Sequence, residues 1–125
     1  MKKVPRILVA DDEQYVAELL ARTLEAEGYS VTRAYNGQDA LDEVNKEVPD
    51  LIILDINMPV LNGYEVLERI NKKHDIPVIM LTAVLEATAV DKTIDLGADD
   101  YIRKPFRSRE LVARVKAKLR RAGFK

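Results

Sequence analysis

Three short, uninterrupted apolar runs constrain this chain more than any other feature. They are Ile7-Leu8-Val9-Ala10, Leu51-Ile52-Ile53-Leu54 and Val78-Ile79-Met80-Leu81. Runs of four aliphatic residues without polar alternation read as strands buried on both faces, the pattern of a parallel sheet covered by helices. Val31 to Ala34 and Tyr101-Ile102 supply two weaker strands.

Between these runs the apolar spacing becomes helical. Val16, Leu19, Leu20, Thr23 and Leu24 predict a first helix, with Gly28 placed to end it. Asn36 is positioned to cap a second, carrying Ala40, Leu41 and Val44 and stopping before Pro49. The Asn57-Met58-Pro59 segment and Asn62-Gly63 predict a loop, and Tyr64, Val66, Leu67 and Ile70 a third, shorter helix. Ala87 to Leu96 is a weaker helix, because Thr88, Val90 and Thr93 are indifferent helix formers; Gly97 ends it. Ser108 is expected to cap a last helix with Leu111, Val112, Val115 and Leu119 on its buried stripe.

Parallel strands need crossover connections, and these are right-handed. Five strand-helix units therefore predict an α/β fold: a doubly wound, five-stranded parallel sheet with helices on both faces. One domain over 1–125 accommodates it. In such sheets ligands bind beyond the carboxyl ends of the strands, where strand order reverses. For the order 2-1-3-4-5 that point lies between the first and third strands. Those strands end in Asp11-Asp12 and in Asp55, while Thr82 and Lys104 end the fourth and fifth.

Three carboxylates converging on one point repel one another unless a cation lies between them. Hard divalent cations such as Mg²⁺ take oxygen ligands of this kind. Asp11, Asp12 and Asp55 with one divalent ion and Lys104 balance to zero formal charge. Converting one carboxylate to an acyl phosphate leaves the site at about −1, within reach of the ion, Lys104 and Thr82. Phosphoryl transfer needs mainly positioning and charge neutralisation, and a carboxylate is a competent nucleophile. The residues thus point to a Mg²⁺-dependent phosphoryl acceptor.

Composition excludes several other classes. Hydrophobic residues make up 47% and charged residues 33%, the balance of an ordinary globular domain. No apolar stretch approaches the roughly 18 residues that would span a bilayer. Met1-Lys2-Lys3-Val4-Pro5 lacks a signal-peptide core, which makes a cytoplasmic domain the expectation. The absence of cysteine removes disulfide scaffolds and thiolate metal sites. A net charge of −1 gives no global attraction to nucleic acid.

Four stretches resemble one known family: Val9-Ala10-Asp11-Asp12-Glu13, Leu54-Asp55-Ile56-Asn57-Met58-Pro59, Met80-Leu81-Thr82-Ala83, and Gly97 through Lys104-Pro105-Phe106. Together, in this order and spacing, they are similar to the receiver domains of bacterial two-component response regulators, which share the CheY-like (flavodoxin-like) fold. The resemblance implies that Asp55 is phosphorylated, with a sensor histidine kinase as donor. It implies that Asp11, Asp12, Asp55 and the backbone carbonyl of Asn57 surround Mg²⁺, and that Thr82 and Lys104 bind the phosphoryl group. It further implies a cis Lys104-Pro105 peptide and a switch in which Thr82 shifts and Tyr101 turns inward.

The stretch from Lys104 to Arg121 is most similar to receivers of winged-helix (OmpR/PhoB-like) regulators. That implies transcriptional output through a DNA-binding domain outside this chain. It also implies a homodimer on phosphorylation through the helix after Thr82, the fifth strand and the last helix, with Asp99, Asp100, Glu110 and Arg114 as pairing charges. Val90 departs from that pattern, where a basic residue is usual. The chain's end just after Arg120-Arg121 is compatible with a linker at that point.

Each residue also has a plainer reading. An Asp-Asp pair is usually a solvated turn, His74 sits in a charged loop, and basic residues from Arg114 to Arg121 suit the last turns of a helix. Three other functions compete. A phosphohydrolase of the haloacid-dehalogenase type needs an Asp-x-Asp pair after one strand and a cap domain. A flavodoxin-like cofactor binder needs a Ser/Thr/Gly-rich loop after the first strand, where this chain has Asp11-Asp12-Glu13-Gln14. A scaffold that accepts no phosphoryl group would not need the full set of site residues.

Overall fold

The structure is a computed structural model that describes residues 4–83 and 95–124. Five parallel strands, β1 (Arg6–Ala10), β2 (Ser30–Ala34), β3 (Leu51–Asp55), β4 (Val78–Thr82) and β5 (Asp100–Arg103), form one sheet in the order β2-β1-β3-β4-β5. The described helices are α1 (Gln14–Glu25), α2 (Gly37–Lys46), α3 (Gly63–Lys73) and α4 (Ser108–Arg121). This is the doubly wound parallel fold that the apolar runs imply. The helix expected over Ala87 to Leu96 lies outside the described residues except for its last two positions, and Val90 falls among those left out.

The two-residue period of the strands divides the core cleanly. Leu8, Ile52, Leu54, Val78 and Met80 pack with Val44, Val66 and Ile70 on one side. Ile7, Val9, Ile53, Ile79 and Leu81 pack with Leu20, Leu24, Leu111 and Val115 on the other. Every residue of β3 and β4 is buried, as continuous apolar runs require.

The first helix forms as its spacing predicts, and two local expectations, at Asn62-Gly63 and at Ser108, need correction. The buried face of α1 is Ala17, Leu20, Ala21 and Leu24, whereas Leu19 is exposed. Two alanines let the helix lie close to the sheet, which rotates the stripe away from Leu19. Asn62-Gly63 does not form a loop: Asn62 caps α3 with a reciprocal capping box to Glu65, and Gly63 is its first residue. Ser108 is the first helical residue of α4, whose cap position is Arg107 with no side-chain cap. Asn36 caps α2 as expected, accepting from the Asp39 N–H at 2.8 Å.

Candidate functional site

Backbone hydrogen bonds carry the sheet's order one step past the strand ends, where the candidate residues begin. The Asp11 N–H donates to the Ala34 carbonyl at 3.1 Å, the Ile56 N–H to Leu81 at 3.1 Å, and the Lys104 N–H to Thr82 at 2.7 Å. Behind Asp55, the Gly63 N–H donates to the Ile56 carbonyl at 2.8 Å. A Cβ at Gly63 would collide with the Asp55 carbonyl oxygen, so α3 can start here only with glycine. The loop before it holds Val60 at φ 70°, a left-handed conformation that a β-branched residue rarely adopts.

Among the described residues, the buried polar or charged side chains are Asp11, Asp55 and Thr82. All three stand at the same rim. Carboxylate oxygens of Asp11, Asp12 and Asp55 lie within 4.8 Å of one another, with Asp12 on the exposed side. Lys104 reaches into this cluster, its Nζ 2.8 Å from Asp11 Oδ2 and 3.3 Å from Asp55 Oδ2. Glu13, which the sequence reading passed over, is a further partner at 3.4 Å. Its place next to the Asp pair was the available signal.

These contacts set the ionisation of the site. Burial, then the charge of Asp11, pushes the Asp55 carboxyl up to about 7, although Lys104 and the Asn57 N–H pull the other way. Burial alone would lower the Lys104 ammonium, but its close contact with the Asp11 carboxylate and the charges of Asp55 and Asp11 outweigh that and raise it. One lysine therefore does not fully neutralise the acids.

The donor set fits a hard divalent cation. It offers oxygen alone, from carboxylates converging on one point. Asp11 Oδ1 accepts from the Glu13 N–H at 2.9 Å, while the buried Oδ2 accepts no well-formed hydrogen bond and has only the ammonium beside it. Asn57 follows two residues after Asp55, and its N–H lies 3.4 Å from Asp55 Oδ1.

The other expected residues lie along β5 and α4. Tyr101 is half-buried against the core face that contains Met80, its register partner. The Lys104-Pro105 peptide is cis. The expected dimer charges are engaged within the chain: Arg114 contacts Asp100 at 2.6 Å and Glu110 at 3.2 Å, and Asp99 Oδ1 accepts from the Val78 N–H at 2.9 Å.

A doubly wound sheet with acids, a hydroxyl and a lysine at one rim defines a class of phosphoryl-accepting signalling domains. Residues 7–116 match the model of the response regulator receiver domain, and the chain belongs to that family. It is similar to the receiver domain of the Francisella response regulator 1452, at 34% identity and TM-score 0.90, over 94% of this chain and 98% of that one. A CheY-like receiver domain protein from Methanospirillum hungatei JF-1 is 31% identical with TM-score 0.90, over 95% of this chain and 96% of that one. The receiver domain of NtrX from Brucella abortus is 33% identical with TM-score 0.87, over 91% of this chain and 98% of that one.

Proposed function

We propose that this receiver domain accepts a phosphoryl group on Asp55 from a sensor histidine kinase, with Mg²⁺ as cofactor. The observation that carries the reading is that the buried polar side chains among the described residues, Asp11, Asp55 and Thr82, all lie at one rim beside Lys104. In the transfer, an Asp55 carboxylate oxygen forms the new O–P bond as the donor's P–N bond breaks. The P–N electron pair stays on the imidazole nitrogen: a ring already protonated on its other nitrogen leaves as neutral imidazole, and an unprotonated ring takes one proton from solvent as it leaves. Bound Mg²⁺ supplies positive charge to offset that on the phosphoryl oxygens. Asp11, Asp12, Asp55 and the Asn57 carbonyl would hold it. Lys104, already within ion-pair distance of Asp55, turns to a phosphoryl oxygen, and Thr82 donates to another. The domain is a signalling phosphoacceptor, assisting its own modification, and not an enzyme with a separate substrate.

The switch follows from charge. Adding about one negative charge biases whichever arrangement brings Thr82 and Lys104 closer to it. The Lys104 N–H bond to the Thr82 carbonyl ties those two strand ends together, so their movement reaches β5 and Tyr101. Dimerisation through β5, α4 and the segment after Thr82 would require Arg114 to exchange Asp100 and Glu110 for a partner's acids. Transcriptional output through a DNA-binding domain belongs to the same reading, as does a cytoplasmic location. Among the described residues no helix is long and apolar enough to cross a membrane.

Incubation with Mg²⁺ and a small phosphodonor tests the assignment by intact mass. One phosphoryl group is expected, lost on Asp55→Asn and on chelation; incorporation surviving Asp55→Asn at unchanged yield rejects it. Sedimentation showing a monomer both with and without a phosphoryl mimic counts against the dimer.

A further inference from the structure

The face formed by α2 and α3, away from the acidic rim, holds a cleft of about 360 Å³. Leu41, Val44 and Ile70 line it, Val44 and Ile70 from the core and Leu41 half-buried. Arg69, Lys72 and Lys73 also line it, and no carboxylate does. Lys72 has only a loose ion pair to Glu68 at 3.6 Å, and no ion pair engages Arg69 or Lys73 among the described residues. The helix macrodipole accounts for lysines in the last turn of α3. It does not account for Arg69, nor for the half-buried Leu41, backed by the core residues Val44 and Ile70, beneath the three cations.

We infer that this cleft is a binding site for a small amphipathic anion, an apolar ring or branched chain carrying one acidic group. An apolar floor with a few convergent polar groups is the usual make-up of a small-molecule pocket, and 360 Å³ lies in the lower part of the usual volume range. A peptide helix in a groove needs anchors repeated over several turns. Three floor residues at one point seat a single compact body instead. The cations confer the sign of the ligand's charge, since nothing in the lining offers them a counter-charge. The inference does not depend on the phosphoacceptor assignment.

The probe for the experiment is 8-anilinonaphthalene-1-sulfonate, with N-phenyl-1-naphthylamine, the same ring system without the sulfonate, as its uncharged counterpart. Fluorescence titration of the folded, metal-free protein should show saturable 1:1 binding of the sulfonate. Arg69→Gln/Lys73→Gln should weaken that binding about tenfold and leave the uncharged probe unaffected. Amide shifts in the parent should centre on Leu41, Val44 and Ile70. A second apolar and basic cavity near Tyr29, Arg120 and Phe124 provides the control, because Arg120→Gln should change nothing. The inference is overturned by absence of saturable binding, by equal affinity in the double variant, or by amide shifts centred on Tyr29 and Phe124. Near-ultraviolet circular dichroism confirms that each variant is folded.

Discussion

Replacing Asp55 with asparagine should stabilise the metal-free protein at neutral and alkaline pH. Asp55 is 3% exposed, faces Asp11, and has its carboxyl pushed from 3.8 up to about 7 by burial and that charge. The folded chain holds this proton more tightly than the unfolded one. The stability it confers is therefore complete below about pH 4 and is lost as the pH rises through about 7. Each pH unit between 5 and 7 costs the parent up to about 1.4 kcal/mol. Relaxation around the coupled Asp11 and Lys104 reduces the total, leaving roughly 2 kcal/mol across that window.

Asparagine has the shape of the protonated acid and does not titrate, so the variant escapes this loss. Urea unfolding in the presence of a chelator, at pH 5 and pH 8, reads the difference. Asp55→Asn should exceed the parent by roughly 2 kcal/mol more at pH 8 than at pH 5. Saturating Mg²⁺ should reverse the order, because binding to the folded parent adds about 2.7 kcal/mol at a hundred times the dissociation constant. A variant that is less stable than the parent at pH 8 without metal, or whose advantage is the same at both pH values, refutes the reasoning.

Other perturbations separate the parts of the site. Lys104→Ala leaves Asp11 and Asp55 facing each other and should cost on the order of 3 kcal/mol at pH 8 without metal. Most of that loss should vanish at pH 5 or in saturating Mg²⁺; a pH-independent loss in urea unfolding contradicts it. Gly63→Ala forces the new methyl against the Asp55 carbonyl and should cost about 1–3 kcal/mol, with weaker Mg²⁺ binding by calorimetry. Unchanged stability and affinity would show that α3 does not fix the position of Asp55. Val60→Asn should raise stability by about 0.5–1 kcal/mol, because asparagine tolerates the left-handed conformation and Val60 is 75% exposed. A fall in the urea midpoint argues against strain at that residue.

The sheet was legible because buried parallel strands leave an unmistakable trace: β1, β3 and β4 are runs that no amphipathic element would carry. Their carboxyl ends place Asp11, Asp12, Asp55, Thr82 and Lys104 at one rim from the sequence alone. Finer features depend on packing partners that a sequence does not display. Leu19 has the right spacing for the buried stripe, yet Ala17 and Ala21 let α1 settle with a different face inward. Asn62-Gly63 carries the composition of a turn, yet the capping box of Asn62 with Glu65 starts α3 there, and the close approach of Gly63 to Asp55 is visible only in the fold. The pairing of Arg114 with Asp100 within the chain, and of Glu13 with Lys104, requires distances across elements. The cleft between α2 and α3 was equally hidden, since its lining comes from two separate segments, Gln38 to Asn45 and Arg69 to His74.

Borohydride reduction after treatment with Mg²⁺ and a small phosphodonor tests the central claim most directly, because it converts an aspartyl phosphate to homoserine. Tandem mass spectrometry should then find homoserine at position 55 and intact aspartate at 11 and 12, with no conversion when the metal is chelated. Homoserine at another position, or unmodified Asp55 in protein that has gained a phosphoryl group, would contradict the assignment.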